Sequence, residues 1–264
     1  MIAIDPGHSG RSITSTDQAT GLRDVDYPNY PEIYEMFDVS YCVAEGLRAD
    51  GYRVVLTKKR AMASVGLAKR AEIATKSKAD LAISVHNDHS QGPGFQATYD
   101  QRGRRDPDGS YHAMYRGTGA ERTVFDHPAI ARKSQRYAKI IAEARTETQG
   151  RVVGVRENSF NGRPPLEPGN LALVQLLAEV PWVYNETGAK TKGDVSTAVS
   201  IGVETRYARG VLLGVERSVP LAAGVVDQPS QGYRGLRRCL VQRVEPRPGT
   251  YTRPKAYLPD GFAR

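Results

Sequence analysis

The sequence predicts a single α/β domain: a mostly parallel or mixed sheet of about six strands, covered by helices on both faces and followed by an extended C-terminal tail. Three observations carry that prediction. Short runs rich in Val, Ile and Tyr recur along the chain, each bounded by Gly, Pro, Asp or Asn. Segments with apolar residues at helical spacing separate those runs. Strand and helix patterns that alternate in this way build sheets whose two faces are both covered.

The elements follow in order. Ile2, Ala3 and Ile4 read as a buried strand that begins almost at the first residue. Further strands are predicted over residues 52–57, 80–86, 95–99, 151–155 and 182–186. The first helix is the clearest, with Ile33, Met36, Phe37, Ser40, Val43, Ala44 and Leu47 on one face. Asn29 and Glu32 have the spacing of a capping box, Pro31 suits a first turn, and Gly51 suits the stop. A second helix is predicted from Leu67 to Lys76, a third from Pro128, a short one after Asn170, and a last one from near Asp194 to Val215. Residues 100–127 are rich in Gly, Arg and Asp with little periodicity, which predicts a long surface excursion. Domain organisation follows: a folded unit over residues 1–217 and a basic Pro/Gly-rich tail over residues 218–264.

Composition narrows the function classes. Hydrophobic residues are 39% and charged residues 25% of the 264, enough for a folded core and against wholesale disorder. No apolar run approaches the roughly 18 residues of a membrane span. The net charge is +8, and eight Lys/Arg against three Asp/Glu concentrate +5 of it after Pro220. That imbalance points to an anionic partner such as a cell wall. Nucleic acid ranks lowest, because Tyr233, Tyr251 and Tyr257 are too sparse for a stacking platform. Cys42 and Cys239 are too few for a disulfide framework or a cysteine zinc site, and Cys42 reads as a small buried residue. The first ten residues have neither a basic n-region nor an apolar h-region, so no secretory signal is expected there.

Chemistry concentrates where strands end. His8 follows the first strand, and His86 ends the apolar run Leu81-Ala82-Ile83-Ser84-Val85. In an open α/β sheet the carboxyl ends of the strands form the ligand crevice, so two imidazoles there have the makings of a shared metal site. Zinc with two His ligands takes a third protein ligand and keeps a position open. Glu32 and, one turn later, Glu35 are the candidate carboxylates. A metal-assisted hydrolase also needs a base, and Glu186 ends the run Pro181-Trp182-Val183-Tyr184-Asn185. Glu179 is its fallback. Asp5, Asp88 and His89 are candidates for orienting the ligands, and Trp182 is expected in the core.

Four segments together resemble a family. IDPGHSG at residues 4–10 is similar to the first histidine motif of the zinc-dependent N-acetylmuramoyl-L-alanine amidases of the Amidase_3 type. YPEIYEMFDVSYCVAEGLRADGYRVVLT at residues 30–57 resembles their glutamate-led helix and the strand after it. AISVHND at residues 82–88 resembles their second histidine motif, with Lys69-Arg70-Ala71 like the arginine element before it. PWVYNETG at residues 181–188 resembles the strand that bears their catalytic glutamate.

The resemblance implies zinc held by His8, Glu32 and His86, with Glu186 as the catalytic carboxylate. It implies hydrolysis of the amide between N-acetylmuramic acid and L-alanine in peptidoglycan. A peptidoglycan-cleaving enzyme without a signal fits a phage-type endolysin released from the host cytoplasm, or a chain separated from its leader. Two other readings stay open at this level: a zinc peptidase acting on the stem peptides, and an inactive wall-binding module of the same fold.

Overall fold

The computed structural model describes residues 1–16, 23–87, 97–99, 104–105, 111–112, 115–116, 123–124, 128–157, 173–187, 200–221 and 229–244. In chain order the elements are β1 (Ile2–Pro6), β2 (Ile13–Thr16), β3 (Arg23–Asp26), α1 (Tyr30–Ala49), β4 (Val54–Leu56), α2 (Leu67–Lys76), β5 (Leu81–His86) and β6 (Ala97–Tyr99). The two-residue strands β7 (Arg104–Arg105), β8 (Tyr111–His112), β9 (Tyr115–Arg116) and β10 (Thr123–Val124) come next. They are followed by α3 (Pro128–Gln149), β11 (Val155–Glu157), α4 (Leu173–Leu177), β12 (Trp182–Glu186), α5 (Ile201–Ser218) and α6 (Gln231–Val244).

Six strands form one sheet in the order β11-β6-β12-β5-β1-β4. All its pairings are parallel except β12 with β6. The sheet is buried on both faces, which is why β1, β5 and β12 read as nearly continuous apolar runs. Strand alternation splits the core in two. Ile2, Ile4, Leu81, Ile83, Val85 and Val183 pack with Met36, Val39, Val43 and Leu47 of α1 and with apolar residues of α3, α5 and α6. Ala3, Ala82 and Trp182 face the other way, against Leu67, Ala71 and Ala74 of α2 and Leu173 and Val174 of α4. Each fully buried Ile or Leu stabilises the fold by roughly 1.5–3 kcal/mol. Among the described residues no helix is long and apolar enough to cross a membrane.

Several sequence-based expectations are corrected. The strand expected at residues 151–155 begins at Val155. Val153 precedes it in a loop, its side chain buried and its amide taken by Thr146 Oγ1 rather than by a strand neighbour. The last long helix starts at Ile201, where the Ser200 side chain accepts from the Val203 amide, and the start expected near Asp194 lies outside the described residues. The tail after residue 218 is not extended throughout, because Gln231–Val244 is α6, with Leu236 and Leu240 buried in the main core. Cys42 is buried as expected, but as half of a disulfide with Cys239 on α6. Trp182 is fully buried, and its Nε1 donates to Ser84 Oγ. The 100–127 excursion lies largely outside the described residues, as do Asp88 and His89.

A metal-type cluster at the strand ends

β1 ends at Pro6 and β5 at His86, side by side in the sheet. Gly7 continues β1 by donating its amide to the Val85 carbonyl. The next residue, His8, turns the chain out of the sheet with φ of +53°, a left-handed conformation uncommon outside glycine. That turn swings the His8 ring back over the strand ends, where its centroid lies 5.1 Å from that of His86.

Glu32 arrives from above, in the first turn of α1. A carboxylate is favoured there by the helix dipole. The capping box expected of Asn29 and Glu32 does not form, since the Asn29 side chain makes no bond to the helix amides. Asn29 Nδ2 instead donates to Glu32 Oε2 at 2.7 Å. The same oxygen lies 3.0 Å from His8 Nε2, while Oε1 lies 2.9 Å from His86 Nδ1 and accepts from the Asn87 amide at 2.8 Å. Glu32 thus spans both histidines with separate oxygens. Glu35, the competing carboxylate, is buried one turn away and accepts from Asn87 Nδ2 at 3.3 Å.

The two imidazoles sit in different electrostatic surroundings. Burial works against a charge on His8, but Glu32 and Asp26 outweigh it and lift the ring to about 10. Burial wins at His86 and lowers it, with Glu32 opposing only in part. Burial likewise opposes the charge on Glu32, and both imidazoles hold it well below the usual carboxylate range. A compact anion between two nitrogens describes a proton-filled version of a cation site.

The donor atoms fit a metal ion. One atom from each of His8, Glu32 and His86 lies within 4.8 Å of the others. Tetrahedral zinc with ligands at about 2.0–2.1 Å separates neighbouring donors by about 3.3 Å, and the two histidine–Glu32 separations of 3.0 and 2.9 Å are near that value. The outer nitrogen of His8 supports the same reading. Nδ1 lies 2.9 Å from the Tyr27 carbonyl and 3.5 Å from Asp26 Oδ1, contacts that keep its proton on the far side and leave Nε2 facing Glu32.

A buried polar network backs the cluster. Arg70 of α2 bridges Asp5 Oδ1 at 3.2 Å and Asp26 Oδ2 at 3.0 Å, and also donates to the Pro6 carbonyl. Asp5 further accepts from Thr57 and Ser84, so it reaches His8 only through Arg70 and Asp26. Lys58, just past β4, is 2% exposed and, among the described residues, donates only to backbone carbonyls. Burial and the like charge of Arg70 push its amine down to about 7.

Glu186 closes β12 in register with His86, and the Thr187 amide donates to the His86 carbonyl. Glu186 is 2% exposed. Its backbone carbonyl accepts from Arg145, which also donates to Asn185 Oδ1, and Arg151 donates to the Thr187 carbonyl. Tyr184, two residues earlier, stacks on His86 with centroids 4.4 Å apart. Glu179 is exposed and precedes β12, at the opposite end of the strand from His86.

His8, Glu32 and His86 therefore gather at the carboxyl ends of β1 and β5, and Glu186 stands in register with His86 at the end of the neighbouring β12. The sequence does not single out Asp26, Lys58 or Arg145, and it presents Asn29 only as a helix cap and Tyr184 only as part of a strand. Their signal is weak in one dimension, because a buried charge looks like a surface charge until its partners are known.

Solved structures with the same fold include the N-acetylmuramyl-L-alanine amidase Ami1 from Mycobacterium abscessus, with a TM-score of 0.53 at 17% identity over 83% of this chain and 97% of that one. Ami1 from Mycobacterium smegmatis matches with a TM-score of 0.54 at 18% identity, over 82% and 95% of the two chains. An N-acetylmuramoyl-L-alanine amidase from Clostridium difficile 630 matches at 0.50 and 16% identity, over 84% and 97%. A comparison with curated protein sequences returns no match. The Amidase_3 model, described as N-acetylmuramoyl-L-alanine amidase, matches residues 2–216, and the chain belongs to that family.

Proposed function

We propose that this protein is a zinc-dependent peptidoglycan amidase that hydrolyses the amide between N-acetylmuramic acid and the L-alanine of the stem peptide. The observation that carries the reading is Glu32 bridging His8 and His86 with separate oxygens, beside Glu186 in register with His86. His8, Glu32 and His86 would hold the ion. When bound, zinc supplies a Lewis acid that polarises a carbonyl and acidifies water.

The chain's own groups supply the rest. Glu186 takes a proton from the attacking water onto its carboxylate and returns it to the amine of L-alanine as the C–N bond breaks. The lactyl carbonyl gains the water oxygen and leaves as a carboxylate. Arg145 and Arg151 fix the backbone around Glu186, so its carboxylate starts each cycle from one position. The catalytic unit is residues 1–217.

Attraction to an anionic wall belongs to the outer face of α6, where Arg234, Arg237 and Arg238 are exposed. Replacing these three with Gln should weaken wall binding most at low salt. Deleting the tail would be a poorer test, since it also removes Leu236 and Leu240 from the core.

Mass spectrometry of muropeptides after digestion tests the main reading. Expected products are stem peptides with a free L-alanine amine and glycans carrying a free lactyl carboxylate, both abolished by a chelator and restored by zinc. Cleavage within the stem peptide would make the protein a peptidase, and intact muropeptides would make it a binding module.

A further inference from the structure

Lys58 is a buried cation that the proposed hydrolysis does not use. It lies two residues past β4, beside the end of β1, and its ammonium has no carboxylate within bonding distance among the described residues. Its three donors go to three carbonyls: Gly7 at 2.8 Å, His8 at 2.6 Å and Ala61 at 3.2 Å. Those contacts fill the donor capacity of a lysine.

Two of the acceptors bracket one residue. The Gly7 carbonyl precedes the His8 backbone nitrogen and the His8 carbonyl follows its Cα, so one ammonium grips the peptide groups on both sides of His8. That residue has φ of +53°. A side-chain-bearing residue in the left-handed region is strained and persists only where its surroundings hold it. Tyr27 and Asp26 orient the ring through Nδ1. Lys58 holds the backbone carbonyls on either side of it.

We infer that Lys58 is a positioning residue for the metal site: by clamping the Gly7 and His8 carbonyls it holds the left-handed turn that aims His8 Nε2 at Glu32. The inference rests on the reading of His8 as a metal ligand. Lys58 touches neither substrate nor metal. A desolvated ammonium is an expensive way to fill a core, since an apolar side chain of similar size avoids the penalty. The arrangement is better explained by what it does to the turn.

The test measures zinc affinity of the metal-free protein by competition with a chromophoric chelator, alongside the thermal midpoint of the same sample. Lys58→Met should weaken zinc binding by about 10- to 100-fold, the usual range for removing a support of a ligating histidine. Lys58→Arg, which keeps charged donors at the same place, should recover most of it. Leu212→Ala on α5 lowers stability far from the turn and should leave zinc affinity unchanged, which separates positioning from general loosening. Should Lys58→Met fail to fold, Lys58→Gln carries the same test, because its uncharged amide sits one bond short of the position from which Nζ grips both carbonyls. Unchanged zinc affinity in folded Lys58→Met, or in Lys58→Gln where Met does not fold, overturns the inference. His8→Ala and Glu32→Ala distinguish the two levels: zinc binding that survives these overturns the metal-site reading itself.

Discussion

Cys42 of α1 and Cys239 of α6 are joined by a disulfide across 197 residues of sequence. It is one rung of a ladder. Along α1, Asp38, Cys42, Gly46 and Asp50 recur every fourth residue and share one face. Each meets α6, which runs antiparallel to α1. Arg243 pairs with the buried Asp38 at 2.9 Å and stacks on Tyr41. Gly46 and Gly232 approach so closely that a Cβ on Gly232 would lie 2.2 Å from the Gly46 carbonyl. Asp50 accepts from the Gly232 amide and from Ser230 at the start of α6. α6 lies beyond the family match, yet it is built into the core.

Losing the disulfide should therefore cost stability. Chain-entropy arguments give about 5 kcal/mol for a loop of this length, as an upper figure. For a domain of this size that is on the order of 10 °C in thermal midpoint. Calorimetry of the wild type in reductant and of Cys239→Ser without it should give the same lowered midpoint. An unshifted midpoint in both would mean that the other rungs alone carry α6. A bond of this kind persists in oxidising surroundings, which suits a protein that works on a cell wall.

Glu216 of α5 gives the same region a pH dependence. Burial pushes its carboxyl up from 4.5 to about 7, against the Ser230 hydrogen bond, and the charge of Asp50 adds to the rise. Tyr52 and Arg217 are its other charged or titratable neighbours. The folded protein thus keeps a proton that the unfolded chain releases above about 4.5. Stability contributed by this group falls as pH rises from 4.5 through about 7, then levels off. Urea midpoints measured between pH 4 and 8 should show that slope, and Glu216→Gln should flatten it. An unchanged slope in the variant would assign the pH dependence elsewhere.

Gly7 tests the metal cluster without touching a ligand. A Cβ there would lie 2.7 Å from Cε1 and Nδ1 of His86. That ring is held on one side by Glu32 and on another by the stacked Tyr184, so it has no free direction in which to yield. Gly7→Ala should weaken zinc binding by at least about tenfold while the protein stays folded, because the displaced group is a ligand rather than the core. Equilibrium dialysis against zinc, with circular dichroism on the same sample, checks both halves. Wild-type affinity in this variant would show that His86 is not held as described.

Much of this was legible in the sequence, for definite reasons. β1, β5 and β12 are central strands with both faces covered, so they appear as apolar runs, and a His or Glu at the end of such a run stands out. α1 announces itself through its periodic apolar face. α6 does not. Its buried Leu236 and Leu240 are set among arginines and glycines, and its partners on α1 lie about 200 residues away in sequence. Long-range pairing also hides the role of Asn29. Its spacing to Glu32 is that of a helix cap, but two imidazoles compete for the carboxylate, and Asn29 becomes a donor to Glu32 rather than an acceptor for the helix.

The choice between Glu186 and Glu179 as base makes the last prediction. Both are carboxylates close to β12, seven positions apart, but they stand at opposite ends of the strand. Glu186 shares a register position with His86 and is buried, so a proton it accepts is not lost to bulk water. Glu179 is exposed, and its amide is tied to Thr75 on α2. Glu186→Gln keeps the shape and removes the proton acceptor. It should lower kcat by about 10²- to 10⁴-fold, the range for general acid–base help, with zinc content unchanged. Glu179→Gln should leave both untouched. A reversed pattern would move the chemistry to the other end of the sheet, away from the histidines. Loss of zinc in Glu186→Gln would instead make that carboxylate a fourth ligand.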